Sequence, residues 1–182
     1  MTTASPQDVL DFWFKEINPK SWWSAESEFD ETVRTRFGEL LQRASMGECF
    51  SWRTQAFGRL AEVIVLDQFS RNIYRGSARA FAQDATALVL AQEAVASNLH
   101  LGLSPTECSF LLLPYMHSES RIIHIQAEAL YREHAPENNY HFELRHKAII
   151  DRFGRYPHRN EILGRQSSSE ELEFLKQPGS SF

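Results

Sequence analysis

Cysteine is nearly missing from this sequence: Cys49 and Cys108 are the two present in 182 residues, and they form no Cys-x-x-Cys pairing. Neither a disulfide framework nor a thiolate zinc site is indicated, and the thiols read as buried or idle. Long apolar runs are missing as well. Clusters such as Ala61 to Leu66 and Leu111 to Leu113 stop well short of the roughly 18 residues a membrane helix requires, so no membrane association is expected. The start, Met1 to Asp8, lacks the basic residues and apolar stretch of a secretory leader, which points to a cytoplasmic chain. Positive charge is in deficit, with 19 Lys and Arg against 24 Asp and Glu for a net charge of -5. Phosphate affinity rests on a basic surface, so nucleic acid is not an expected partner.

What is present suffices for one domain spanning residues 1–182, since 42% hydrophobic and 12% aromatic content can fill a core. Helix signals recur from end to end without sustained strand alternation, so the fold class is all-α, with about eight helices. Ser5-Pro6 with Asp8 opens the first, which carries Val9, Leu10, Phe12 and Trp13. Phe29, Val33, Phe37, Leu40, Leu41 and Ala44 share one face of the second, which Gly47 ends. A third starts near Ser51, carries Phe57, Leu60 and Ile64, and runs to about Ile73; a fourth covers about Gln83 to Ala96. Ser104-Pro105-Thr106-Glu107 is a capping box opening a fifth, which Pro114 interrupts. The sixth spans Ser118 to about Glu133, and a seventh carries the stripe Phe142, His146, Ile149, Ile150 and Phe153, with Gly154 to close it. A short last helix begins at Glu170-Glu171. Short connections favour antiparallel neighbours, so stacked helical hairpins are expected, although no clean repeat is visible. Trp22-Trp23 reads as packing in preference to a self-association face.

Arginine supplies most of the positive charge, and six arginines fall in two segments, residues 67–75 and 152–165. Its planar fork suits bidentate grips on carboxylate or phosphate. On the third helix the stripe Phe57, Leu60, Ile64 continues into Asp67 or Gln68, then Arg71, then Arg75, with Asn72 beside them. Charged groups on a core-facing stripe either satisfy one another, as Asp67 and Arg71 can four residues apart, or surround a polar ligand. A buried packing network accounts for these residues as readily as a site does, and a solvated helix end is a third reading. The second segment, Pro114 to Glu119, delivers His117 and Glu119 to a helix start, where His117 could move a proton with a carboxylate to orient it. In the third, Phe153 to Asn160, a Gly- and Pro-punctuated turn carries Arg155, His158, Arg159 and Asn160, with Arg165 following. His146 reads instead as a satisfied core histidine.

Spacings argue against a metal: there is no His-Glu-x-x-His pair, and His117-x-Glu119 lacks the Pro-Cys-x-x-Cys partner of a zinc deaminase. No P-loop, Gly-x-Gly-x-x-Gly or Gly-x-Ser-x-Gly motif occurs, so no cofactor is expected.

The stretches Asp-Gln-Phe-Ser-Arg-Asn-Ile-Tyr-Arg-Gly (67–76), Pro-Tyr-Met-His-Ser-Glu (114–119) and Phe-Gly-Arg-Tyr-Pro-His-Arg-Asn-Glu-Ile-Leu-Gly-Arg (153–165) resemble those of the bacterial domain-of-unknown-function family 924. The similarity runs from Val9–Phe14 to the closing Pro-Gly-Ser-Ser-Phe. It implies an all-α fold of tetratricopeptide-like hairpins and carries no activity with it. The chain departs from the family pattern at Ser120 and His124, where an aspartate and a glutamine are usual.

Two functions fit the residues. In one, Arg71, Arg75 and Arg159 hold a small anionic molecule while His117 or His158 moves a proton and Asp67 or Glu119 orients it. Gln68, Asn72, Arg155, Asn160 and Arg165 complete that set, and the three segments must then converge on one pocket. In the other, the helices present a groove to a peptide whose carboxylate Asn72, Asn160 or the arginines grip. Oligomeric state is left open by the sequence.

Overall fold

The computed structural model describes residues 4–23 and 25–181; Met1–Thr3 of the leader reading and Phe182 of the closing motif lie outside them. Among the described residues there are helices and turns and no strand, as the periodicity requires. The first helix, α1 (Pro6–Asp11), starts on a complete capping box, Ser5 Oγ accepting from the Asp8 amide while Asp8 takes the Ser5 amide at 2.7 Å. It runs on through a wide π turn, Phe12–Glu16. Helix α2 (Ser27–Ser45) buries Val33, Phe37, Leu40, Leu41 and Ala44 on one face, and Gly47 leaves it in the left-handed region at φ +78.

The third helix begins at Ala56 rather than near Ser51, because residues 50–54 form a 3₁₀ turn that folds back on it. Two contacts fix that turn. Arg53 grips buried Glu62 through Nε at 2.8 Å and Nη2 at 2.6 Å, and the Trp52 carbonyl closes directly over Gly58. The helix then proceeds as α3 (Ala56–Ile64), a second π turn (Val65–Phe69) and α4 (Ser70–Ile73). Every residue from Leu60 to Phe69 is buried, because α1, α2, α5 (Asp84–Ala96) and α6 (Pro105–Leu111) all pack around this segment. Phe57, expected on the buried stripe, is instead 48% exposed, one turn before the enclosure begins.

Pro114 does break the fifth helix into α6 and α7 (Leu113–Met116). The following α8 starts at Arg121, not Ser118, so residues 118–120 form an extended link, and α8 (Arg121–His134) pairs with α9 (Glu137–Phe153). Gly154 at φ +70 ends α9, and a Ser168 capping box opens α10 (Ser169–Leu175). At the centre an aromatic cluster joins the two π turns: Phe69 lies 4.7 Å from Phe37, 5.6 Å from Trp13 and 6.1 Å from Phe12. Trp22 joins it through a 2.8 Å bond from Nε1 to the Trp13 carbonyl and an edge contact with Phe110, while Trp23, stacked on the same ring, stays 62% exposed.

A Cβ on residue 58 would fall 2.1 Å from the Trp52 carbonyl oxygen, a backbone atom that cannot rotate away. Gly58→Ala is therefore expected to lower stability by roughly 1–3 kcal/mol despite the better helix propensity of alanine. Urea unfolding measures this, and an unchanged or higher midpoint would show that the 50–54 turn does not rest on α3.

Candidate functional site

The second π turn holds the most constrained group in the molecule. Asp67 is 1% exposed, and its carboxylate accepts from Gln68 Nε2 at 2.6 Å and from Arg71 Nη1 at 3.2 Å, with His117 Nδ1 at 2.8 Å. Burial pushes its carboxyl up, but Arg71 and His117 together outweigh that and hold it well below the usual carboxylate range. His117 sits just after α7, where the Pro114 break turns it back toward α3. Burial and the neighbouring Arg71 charge lower its pKa, against the opposing pull of Asp67, so its ring is neutral near pH 7. With Nδ1–H donated to Asp67, the lone pair is left on Nε2.

Arg71 has a second and better aligned partner. Asp84, the first residue of α5, takes Nη1 at 2.9 Å and Nη2 at 3.0 Å as a fork. Arg159, from the turn after α9, comes to the same carboxylate at 3.5 Å and donates to the His117 carbonyl at 3.1 Å. Its guanidinium is buried between Phe81 and Tyr156, 4.7 and 4.5 Å from the ring centres, and its Nε has no hydrogen-bond partner among the described residues. Burial and the nearby Arg71 lower its pKa. Arg71 also lies over Phe81, at 5.5 Å, so one ring serves both cations.

The remaining site residues fall into adjoining clusters. Glu119 is not in the first turn of a helix, as expected, but in the extended link, because Arg165 and the Tyr156 amide hold it there. Arg165 grips it in a fork at 2.5 and 2.9 Å, the Tyr156 N–H donates at 2.7 Å, and Asn160 accepts from Arg165 Nε at 3.0 Å. Burial pushes the Glu119 carboxyl up, yet these donors keep it below its usual range. Arg155 turns outward from this cluster to Glu171, at 2.6 and 2.7 Å, tying the turn to α10. His158 packs 5.7 Å from the Tyr156 ring, and burial brings its pKa down to about 4. Asn72 and Arg75 lie apart from His117, both bound to Asp30 of α2, at 2.8 Å and, for Arg75, at 2.5 and 2.8 Å. The segments thus bring Asp67, Gln68, Arg71, His117 and Arg159 together and leave Asn72, Arg75 and Arg155 outside.

His124 lies in a buried packing network. Both ring nitrogens face oxygen atoms, Glu143 Oε1 at 2.7 Å and the Ser118 carbonyl at 2.8 Å, so a proton must lie between Nδ1 and Oε1. Tyr156 Oη lies 3.2 Å from Nε2 and donates to the Met116 carbonyl at 2.5 Å. His146 donates through Nδ1 to the Phe142 carbonyl at 2.8 Å in the adjoining core, with its pKa brought down to about 3 by burial.

Asp84, Phe81 and Glu143 escaped the sequence reading. Asp84 looks like any first-turn acid favoured by the helix dipole, and only the fold reveals that it faces Arg71. Among the described residues no group of three or more His, Cys, Asp or Glu is placed to hold a metal ion, and no helix is long and apolar enough to cross a membrane. A shallow hollow of about 420 Å³ lies on α2, lined by Glu28, Thr32 and Arg36, and a cleft of about 90 Å³ lies beside Ser70; neither is lined by His117 or Arg159.

A family model described as bacterial protein of unknown function (DUF924) matches residues 9–179. A solved structure of a protein of unknown function, ATU0120 from Agrobacterium tumefaciens, is 33% identical and superposes with a TM-score of 0.89 over 94% of this chain and 96% of its own. No curated protein matches.

Removing the Asp67 carboxylate would leave Gln68 and His117 without their shared acceptor while Arg71 keeps its fork to Asp84, so Asp67→Ala is expected to cost roughly 1–3 kcal/mol in chemical unfolding; a loss under about 0.5 kcal/mol would show that the carboxylate is not the keystone of this cluster. His146 provides a pH test. Its folded pKa, about 3, lies below the unfolded value near 6.5, so the unfolded chain binds the extra proton between those limits. Stability is then full above about pH 6.5 and falls as pH drops toward 4, by at most about 1.4 kcal/mol per unit for this group. His146→Gln should flatten the slope; an identical slope would place the titrating group elsewhere.

Proposed function

The chain belongs to the DUF924 family of bacterial proteins of unknown function, and we propose that it binds a small oxyanion, a carboxylate or phosphate, between Arg71 and Arg159, with His117 as the acid–base group. The observation behind this reading is the way Asp84 is held. A carboxylate gripped in a fork by one half-buried arginine and within 3.5 Å of a second, buried one, both cations lying over one aromatic ring, has the surroundings of a bound anionic ligand. Arg159 adds an Nε donor with no hydrogen-bond partner among the described residues. Asp84 stands on the first turn of α5 with its side chain 21% exposed, so an incoming anion can exchange with it at small cost to the core.

Asp67 and His117 supply the chemistry in this reading. The carboxylate fixes the imidazole tautomer and orientation, and Nε2 of a neutral ring accepts a proton from a bound substrate or its attacking water. His158 with Glu119 is the weaker choice for that role, because Glu119 is committed to Arg165 and the Tyr156 amide. Gln68 is a positioning residue through Asp67. Asn160 and Arg165 brace the turn that carries Arg159. A tetratricopeptide-like peptide module would call for an open groove over these residues, whereas Arg159 is buried against Phe81 and Tyr156.

Thermal unfolding with increasing inorganic phosphate or citrate tests the proposal in the wild type, Asp84→Asn and Arg159→Gln. Saturable stabilisation is expected in the wild type, reaching about 2.7 kcal/mol at a hundredfold excess over Kd. Vacating the internal carboxylate in Asp84→Asn should tighten binding about tenfold, and Arg159→Gln should abolish it. If no oxyanion stabilises either the wild type or Asp84→Asn, the cluster is a packing network and the proposal fails.

A further inference from the structure

Beside Ser70, the cleft of about 90 Å³ is bounded by α2, α4 and the residues leading into α5. Ser70 lies at its base. The residue is 1% exposed, its hydroxyl has no hydrogen-bond partner among the described residues, and it lines the cleft. Helical serines ordinarily satisfy themselves on a preceding carbonyl or reach solvent, and this one does neither, which carries the cost of an unsatisfied polar group. Gln42, Gln83 and Arg79 also line the cleft. Arg79 is fixed there by its stacking over Tyr74 at 3.8 Å and its 2.7 Å bond to the Tyr74 hydroxyl. No acidic residue lines the cleft, and the volume exceeds what one water needs.

We propose that this cleft is a second ligand site, distinct from the Arg71–Arg159 centre, that takes a small oxyanion with Ser70 as the buried donor. The chemical class follows from the lining. One fixed cation, amide and hydroxyl donors and no acid complement a single negative charge spread over two or more oxygens, and the size restricts it to a compact ion such as a short carboxylate or inorganic phosphate. Gln42 and Gln83 can each donate one amide N–H to the ion and still accept from solvent.

Amide NMR on the ¹⁵N-labelled full chain, titrated with sodium acetate or sodium phosphate against matched sodium chloride, reads the site through the side-chain amide signals of Gln42 and Gln83. Saturable shifts of those signals with either oxyanion, absent with chloride, are expected. Ala82→Leu, which fills the cleft from its exposed rim, should abolish them; Ser70→Ala should weaken binding roughly tenfold while leaving the ligand-free protein no less stable, since the hydroxyl has no partner to lose. Arg159→Gln should leave the response intact, which separates this site from the other. Shifts that stay linear in all salts, or that persist unchanged in Ala82→Leu, would overturn the proposal.

Discussion

The carboxylate of Asp67 sits in the interior of the molecule, and the surrounding elements are arranged to keep it charged there. An ionised group without partners in such a place is untenable. It is made tolerable by donors from its own π turn, from the following helical turn and from the segment after α7. Because His117 reaches it from the end of α7, and Arg71 is shared with Asp84, the charge couples α3, α7 and α5 into one arrangement. Arg159 then enters against the His117 backbone and brings the turn after α9 with it.

This is one of several buried or half-buried charges, each closed by a specific partner: Glu62 by Arg53, Asp30 by Asn72 and Arg75, and half-buried Glu119 by Arg165. Such pairs add little stability over an apolar core of the same shape, and their removal one partner at a time is costly. Their effect is on uniqueness. Arg165 has few places where it can meet Glu119, the Tyr156 carbonyl and Asn160 together, and those contacts set where residues 153–165 lie. Arg159 differs from the rest in that its nearest carboxylate is already committed to Arg71 and its Nε is unmet, which is why the ligand reading centres on it.

The all-α class and most helix limits were legible because caps, prolines and apolar stripes act locally: Ser5, Ser104 and Gly154 stand where their chemistry demands. The Asp67–Arg71 pair was legible for the same reason, being four residues apart on a stripe that stays apolar for two turns. The start of α3 was not. Residues 50–54 directly precede the apolar stripe, and what folds them back is a long side chain reaching forward to Glu62, a contact visible only in three dimensions. Asp84 and Glu143 were hidden likewise, since an acid at a helix start or within a polar helix gives no sign of what it faces across the core. Asn72 and Arg75 shared the helix with Arg71, yet their partner lies on α2, so proximity in sequence overstated the size of the site.

The wide turn at Val65–Phe69 carries a consequence for the phase of the helix. A π turn accommodates an additional residue within a continuous helix, and successive residues of a regular helix are rotated by about 100°. Deleting one residue there would restore ideal backbone geometry while swinging everything after it, Arg71, Asn72 and Arg75 included, to a different azimuth. Each would face away from the acid it now meets. In this chain the helix therefore cannot be both regular and correctly phased.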